Sequence, residues 1–154
     1  MKTLTFETTI LTTLEKLWSA WTCPELITKW FAPEANISPV VGGAFELFFD
    51  PSNKEHMTTK GCKIIEFNPY KTLSVTWKGP DDFENIMNKT PLTVVNVTFL
   101  EEGKLLKVKV AHCGFGDDKQ WNDAINWHEI AWNGVLISLK DYLENNEGVC
   151  CCCS

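Results

Sequence analysis

Three histidines are the chain's candidates for proton chemistry near neutral pH, because imidazole is the side chain whose ordinary pKa lies there. His112 closes the run LLKVKVAH on the face shared by Leu106, Val108 and Val110, opposite Lys107 and Lys109. His128 falls in the apolar series Trp121, Ile125, His128, Trp132. His56 sits in the polar stretch PSNKEH and is expected in solvent. An imidazole on an apolar face has two readings. It is an interior side chain with both nitrogens satisfied, or it offers one nitrogen to a ligand, orienting a phenol or carboxylate or acting as a general base. Glu129 is no partner for His128, since neighbouring helix positions diverge by about 100°. His112, Cys113 and His128 lack a metal-ligand spacing such as CxxC or HExxH, so no metal is expected. The chain contains no GxSxG elbow, phosphate loop or dinucleotide fingerprint. No catalytic residue is therefore assigned, and no cofactor is expected.

Seven tryptophans supply the other chemistry. Three of them stand in WSAWTCPELITKWF, residues 18–31. Burying one indole removes roughly 150–250 Å² from water, about 4–6 kcal/mol as an upper bound, so core packing suffices for Trp18 and Trp21. Trp77, Trp121 and Trp132 are different, because a strand and a long helix would face each other there. Their indole N–H groups need acceptors, and a polar ligand can be one. Phe83 and Met87 belong to the polar connection PDDFENIMNKTP, whose length suits a lid over such a site. The candidate ligand-binding set is thus Trp77, Phe83, Met87, His112, Trp121, His128 and Trp132.

The elements that must position these residues follow from periodicity. KTLTFETTI alternates as a half-buried strand. Thr12 with Glu15 makes a capping box for a helix whose apolar side is Leu14, Leu17, Trp18 and Trp21. Pro24 opens a second short helix. ANISPVV, AFELFFD, MTTKGCKIIEF, TLSVTW, LTVVNVTFL and LLKVKVAH then read as strands, the later ones alternating cleanly with lysines outside. From Asp118 the period becomes helical, with Trp121, Ile125, His128, Trp132, Val135, Leu136, Leu139 and Leu143 on one side. Gly134 inside that helix suggests close backbone approach. A meandering sheet with one apolar face needs a cover, and only the long helix is large enough. The expected class is α+β: a curved antiparallel sheet of about six to seven strands wrapped round a long C-terminal helix, with two short helices after the first strand.

Composition narrows the function. A net charge of −6 and a pI near 5.0 leave no basic stripe for nucleic acid and no electrostatic attraction to anionic lipid. The opening residues lack a continuous apolar signal region, and no window approaches eighteen apolar residues, so no membrane span is expected and the cytoplasm is the expected compartment. Cys23, Cys62 and Cys113 read as small buried hydrophobes. Residues 147–154, with Cys150–Cys153, form a tail outside a single domain of residues 1–146.

In this order the pieces LWSAWTCPELITKWF, PVVGGAFEL, GCKIIEFNPYKTLSVTW, VNVTFLEE, VAHCGFGD and HEIAWNGVLISLKDYLEN resemble the heat-shock-protein-ninety ATPase activator homology family. That family lies within the START-like helix-grip superfamily of birch-pollen-allergen and polyketide-cyclase proteins. The resemblance covers roughly residues 4–146. It implies an apolar cavity between sheet and helix that holds a lipid, sterol or aromatic molecule, or else stimulation of a chaperone through a protein partner. It supplies no invariant catalytic set, and fold does not fix function. The leading expectation is binding of a small hydrophobic or amphipathic molecule. The alternatives are a co-chaperone-like regulator and a cyclase- or hydrolase-like enzyme using a cavity histidine.

Overall fold

The alternation in KTLTFETTI becomes strand β1 (Lys2–Ile10), with Leu4 and Ile10 buried and Thr3, Thr5 and Glu7 exposed, in a computed structural model that describes residues 1–145. The cysteine tail and the expected domain end at residue 146 lie outside the described residues. Helices α1 (Leu14–Thr22) and α2 (Pro24–Ile27) come next. The cap of α1 is Thr13, one residue later than the Thr12–Glu15 box suggests. Its hydroxyl accepts from the Lys16 amide at 3.3 Å and its carbonyl from the Leu17 amide at 3.0 Å. Starting there turns Leu17, Trp18 and Trp21 inward together.

Six further strands complete the sheet structure: β2 (Glu34–Ile37), β3 (Phe45–Phe48), β4 (Ile64–Asn68), β5 (Thr72–Trp77), β6 (Thr93–Glu102) and β7 (Leu105–Phe115). Five strands pair antiparallel in the order β1-β7-β6-β5-β4. β2 and β3 form a separate antiparallel ribbon, joined to the segment before β4 by single bridges, Ala44 to Lys63 and Phe48 to Thr58. Along β6, Thr93, Val95, Val97 and Phe99 are buried while Val94, Asn96 and Thr98 are only partly covered. That period-2 pattern gives the sheet one dry face.

Helix α4 (Asn122–Asn145) covers that face with His128, Trp132, Leu136, Leu139 and Leu143. Trp132, Leu136, Leu139 and Leu143 join Leu73, Val75, Val95, Val97, Val108 and Val110 in the main core, and Trp18, Trp21 and Trp30 close one end of it. The Trp30 indole N–H donates to the Ala20 carbonyl at 3.0 Å, tying α2 back to α1. Cys62 is fully buried, and burial pushes its thiol up to about 11, leaving it a hydrophobe in practice.

A smaller core forms at the other end from Leu4, Met87, Phe115, Ala124 and Ile125. Phe115 reaches it through a bulge at Gly114, whose φ is +100°. The register with β1 skips that residue, so that Thr3 faces Cys113 and Lys2 faces Phe115. Strict alternation after His112 would turn Phe115 outward; the extra residue turns it in.

Gly134 departs from expectation. A Cβ built on it meets no atom within 4 Å, and the residue is exposed. No neighbouring backbone explains a glycine there. Gly134→Ala should therefore stabilise the helix by about 1 kcal/mol, read as a rise of about 2–4 °C in Tm. A fall in Tm would reveal a neighbour at that position.

Candidate functional site

The buried end of β7 holds the first candidate, His112, which is fully enclosed. The Trp132 indole N–H donates to its Nδ1 at 3.0 Å, and its Nε2 lies 2.9 Å from Thr93 Oγ1. An indole N–H only donates, so Nδ1 carries the lone pair and Nε2 the proton. The Thr93 hydroxyl then passes its own hydrogen to the Trp77 carbonyl at 3.3 Å. Every member of this chain is satisfied. Burial, and then the nearby His128, hold His112 well below the usual imidazole range, so it is neutral. With both nitrogens engaged, it has none left for a general base.

His128 is placed by α4 one turn before Trp132 and is 1% exposed. Its Nδ1 lies 2.7 Å from the Ala124 carbonyl of its own helix, which can only accept, so Nδ1 carries the proton. Nε2 is buried with no partner. Burial lowers its pKa to about 4, against the raising effect of the Ala124 hydrogen bond. The two imidazole rings lie edge to face with centroids 5.2 Å apart.

His128, Trp132, Ala131 and Val135 form one side of a cleft of about 180 Å³. Its aromatic floor is continuous: Phe31 lies 5.9 Å from Trp77 and 5.7 Å from Trp132, and Trp77 and Trp132 are 5.5 Å apart. Phe49, Met57, Thr58 and Thr59 supply the opposite wall from the β3–β4 connection, and Lys78, Gly79 and Pro80 the far edge. Met57 holds φ at +50°, an unusual conformation for a residue with a side chain. Its amide donates to Asp81 Oδ1 at 3.1 Å, and the same carboxylate pairs with His56 Nδ1. His56, expected free in solvent, is exposed but tethers this wall.

Of the seven sequence candidates, Trp77, His128 and Trp132 line the cleft, and His112 lies beneath Trp132. The other three are elsewhere. Met87 ends the short helix α3 (Glu84–Met87) and is buried in the smaller core, with Phe83 and Trp121 packed against it. Met87 presses on Gly79, where an added Cβ would lie 2.5 Å from its sulfur, and Trp121 covers Gly116 in the same way. The connection expected to be a lid is thus packed down as core. The remaining wall was not among the candidates: Phe49 and residues 57–59 fall in runs that read as strands, but β3 ends at Phe48 and β4 begins only at Ile64, which leaves them irregular chain beside the cleft. Among the described residues, no group of three or more His, Cys, Asp or Glu side chains is arranged to hold a metal. No helix among the described residues is long and apolar enough to cross a membrane.

Comparison with known proteins defines the class. Residues 11–144 match the family described as Activator of Hsp90 ATPase homolog 1-like protein, and the chain belongs to that family, within the START-like superfamily. Its fold is shared with a Mesorhizobium loti protein, MLL2253, at 24% identity and a TM-score of 0.72, over 92% of this chain and 96% of that one. The Aha1 dimer from Colwellia psychrerythraea is similar at 21% identity and a TM-score of 0.74, over 94% and 97%. CalU16 from Micromonospora echinospora is similar at 19% identity and a TM-score of 0.66, over 91% and 73%. No curated protein matches. The fold is one that commonly binds ligands.

The two buried neutral histidines set an acid limit. Their folded pKa values are lowered, so the unfolded chain binds protons first as pH falls below about 6.5, and stability present above that pH is lost toward about 4. Between pH 7 and pH 5 the loss should be about 2 kcal/mol from His128, with His112 adding to it in the same direction, read from urea unfolding at the two pH values. A stability independent of pH over that window would show that the rings take up protons as they do in the unfolded chain.

Proposed function

We propose that this protein binds a small apolar or amphipathic molecule in the cleft between α4, the Trp77 end of the sheet and the β3–β4 connection. The observation that carries the reading is the aromatic floor of Phe31, Trp77 and Trp132 opening beside an imidazole with one unused nitrogen. Apolar walls with few polar groups are the usual composition of a ligand site. Burial of a ligand there draws on the hydrophobic effect at about 25 cal/mol per Å², while the fold itself is held by the two cores on either side.

The test is native mass spectrometry of freshly purified protein, followed by amide NMR titration with fatty acids, sterols and aromatic compounds. One class should saturate, with shifts centred on Trp77, Trp132 and Val135. Ala131→Trp, which fills the cleft from α4, should weaken that ligand at least about tenfold, or about 1.4 kcal/mol, with helix content unchanged. Shifts scattered over the surface, or none with any class, would overturn the reading.

A second reading, a regulator acting through a protein partner, is favoured by the outer side of the same helix. Trp127, Ile130 and Ile137 stand 42%, 77% and 70% exposed along α4. Apolar side chains grouped at helical spacing on a surface suit a docking face. Ile130→Lys with Ile137→Lys separates the two readings, because it removes that face and leaves the cleft intact.

A further inference from the structure

The polar side chains in the cleft wall are largely engaged within the protein. Thr59 Oγ1 accepts from the Leu47 amide at 2.8 Å and donates to the Phe45 carbonyl at 3.2 Å. Thr58 Oγ1 accepts from the Lys60 amide at 3.0 Å and donates to the Leu47 carbonyl at 3.2 Å. The Lys78 ammonium donates to the Lys60 carbonyl at 2.7 Å. Among the described residues, three buried side-chain polar atoms have no partner: Thr12 Oγ1, Trp21 Nε1 and His128 Nε2. Only the last belongs to a residue of the cleft.

That atom has a fixed character. Since Nδ1 is turned back onto the helix and holds the proton, Nε2 is the one uncommitted polar atom of this cleft-lining ring, and it is a lone pair without hydrogen. An unpaired buried acceptor selects what it meets. A ketone, ether or carboxylate would bring a second acceptor against it. An amide N–H would bring a carbonyl, whose donors would have to be the Lys78 ammonium or the Trp127 indole N–H at the edge of the cleft. A cation would enter a lining that contains no carboxylate. A neutral hydroxyl satisfies the nitrogen and brings little else. Size sets the remainder: the cleft of about 180 Å³ is a little larger than the roughly 150 Å³ apolar cavity known to take benzene. Ring-on-ring contact with Phe31, Trp77 and Trp132 favours a flat aromatic body.

We infer that the cleft takes a neutral single-ring aromatic alcohol whose hydroxyl donates to His128 Nε2. This inference rests on the cleft being a binding site, as proposed above. The probes are p-cresol, 4-methylanisole and toluene, titrated into the full chain by NMR with the His128 ring nitrogens observed directly. p-Cresol should bind about five- to tenfold tighter than 4-methylanisole, although the ether is the more apolar. The Nε2 resonance should move upfield with p-cresol and stay in place with the other two. His128→Phe should keep toluene binding and erase the preference for the alcohol. If that variant fails to fold, the three ligands and the Nε2 shift on the unaltered chain still decide. Equal affinity for p-cresol and 4-methylanisole, both in the cleft and with Nε2 unmoved, would overturn this inference and leave the binding role standing. Binding of none of the three while a fatty acid or sterol saturates the cleft would overturn this inference alone, and saturation by no class at all would overturn both.

Discussion

The hydrogen-bonded chain from Trp132 through His112 and Thr93 to the Trp77 carbonyl ties α4 to β7, β6 and β5 in one run. Hydrophobic contact alone leaves a helix free to slide and rotate over a sheet, because apolar area is non-directional. Three successive donors, each meeting one acceptor, have only one alignment. Leaving any of them unpaired in the dry core would cost about 1–3 kcal/mol. The chain therefore fixes which side of α4 faces the sheet. The orientation of Trp77 and Trp132, the floor of the cleft, follows from it. So does the position of His128, one helical turn before Trp132.

Much of this architecture was legible in the residues. The alternation of β1, β6 and β7 and the three-to-four spacing of α4 each name the face that is buried, since burial is what creates those periods. The pairing of His112 with Trp132 was within reach as a satisfied interior histidine, though its partner was not. The misses share one cause: they depend on contacts that leave no period. Gly114 reads as a turn residue, yet it acts as a bulge that inverts the parity of Phe115. PDDFENIMNKTP is polar enough to read as a lid, yet Met87, with Phe83 and Ile86 packed beside it, anchors it in the smaller core and against Gly79. The wall from residues 49–59 is irregular chain held by Asp81, and a carboxylate four residues after Trp77 gives no hint of that in sequence.

Membership of the activator-homologue family accounts for the sheet, the long helix and the order of elements. It does not account for the site. The structural relatives named above share at most 24% of their residues with this chain, so their side chains say little about what lies in this cleft. The division of labour along α4 is more informative. One side of the helix is core, a second borders the cleft, and a third presents Trp127, Ile130 and Ile137 to solvent. Trp127 belongs to both of the last two. A partner resting on the outer face would touch the rim of the cleft without any movement of the sheet.

The indole pair on the cleft floor has an optical consequence. Trp77 and Trp132 are 5.5 Å apart at a tilt of 41°, close enough for their excited states to mix, and the Trp132 N–H is held in place by a ring nitrogen. Such a pair gives a signed doublet in the far-ultraviolet circular dichroism, from the strong short-wavelength indole band, whose size depends on the angle between the rings. With the contribution of the Trp21–Trp30 pair, 4.9 Å apart, subtracted, that doublet is a spectroscopic gauge of the junction between helix and sheet, with no label attached.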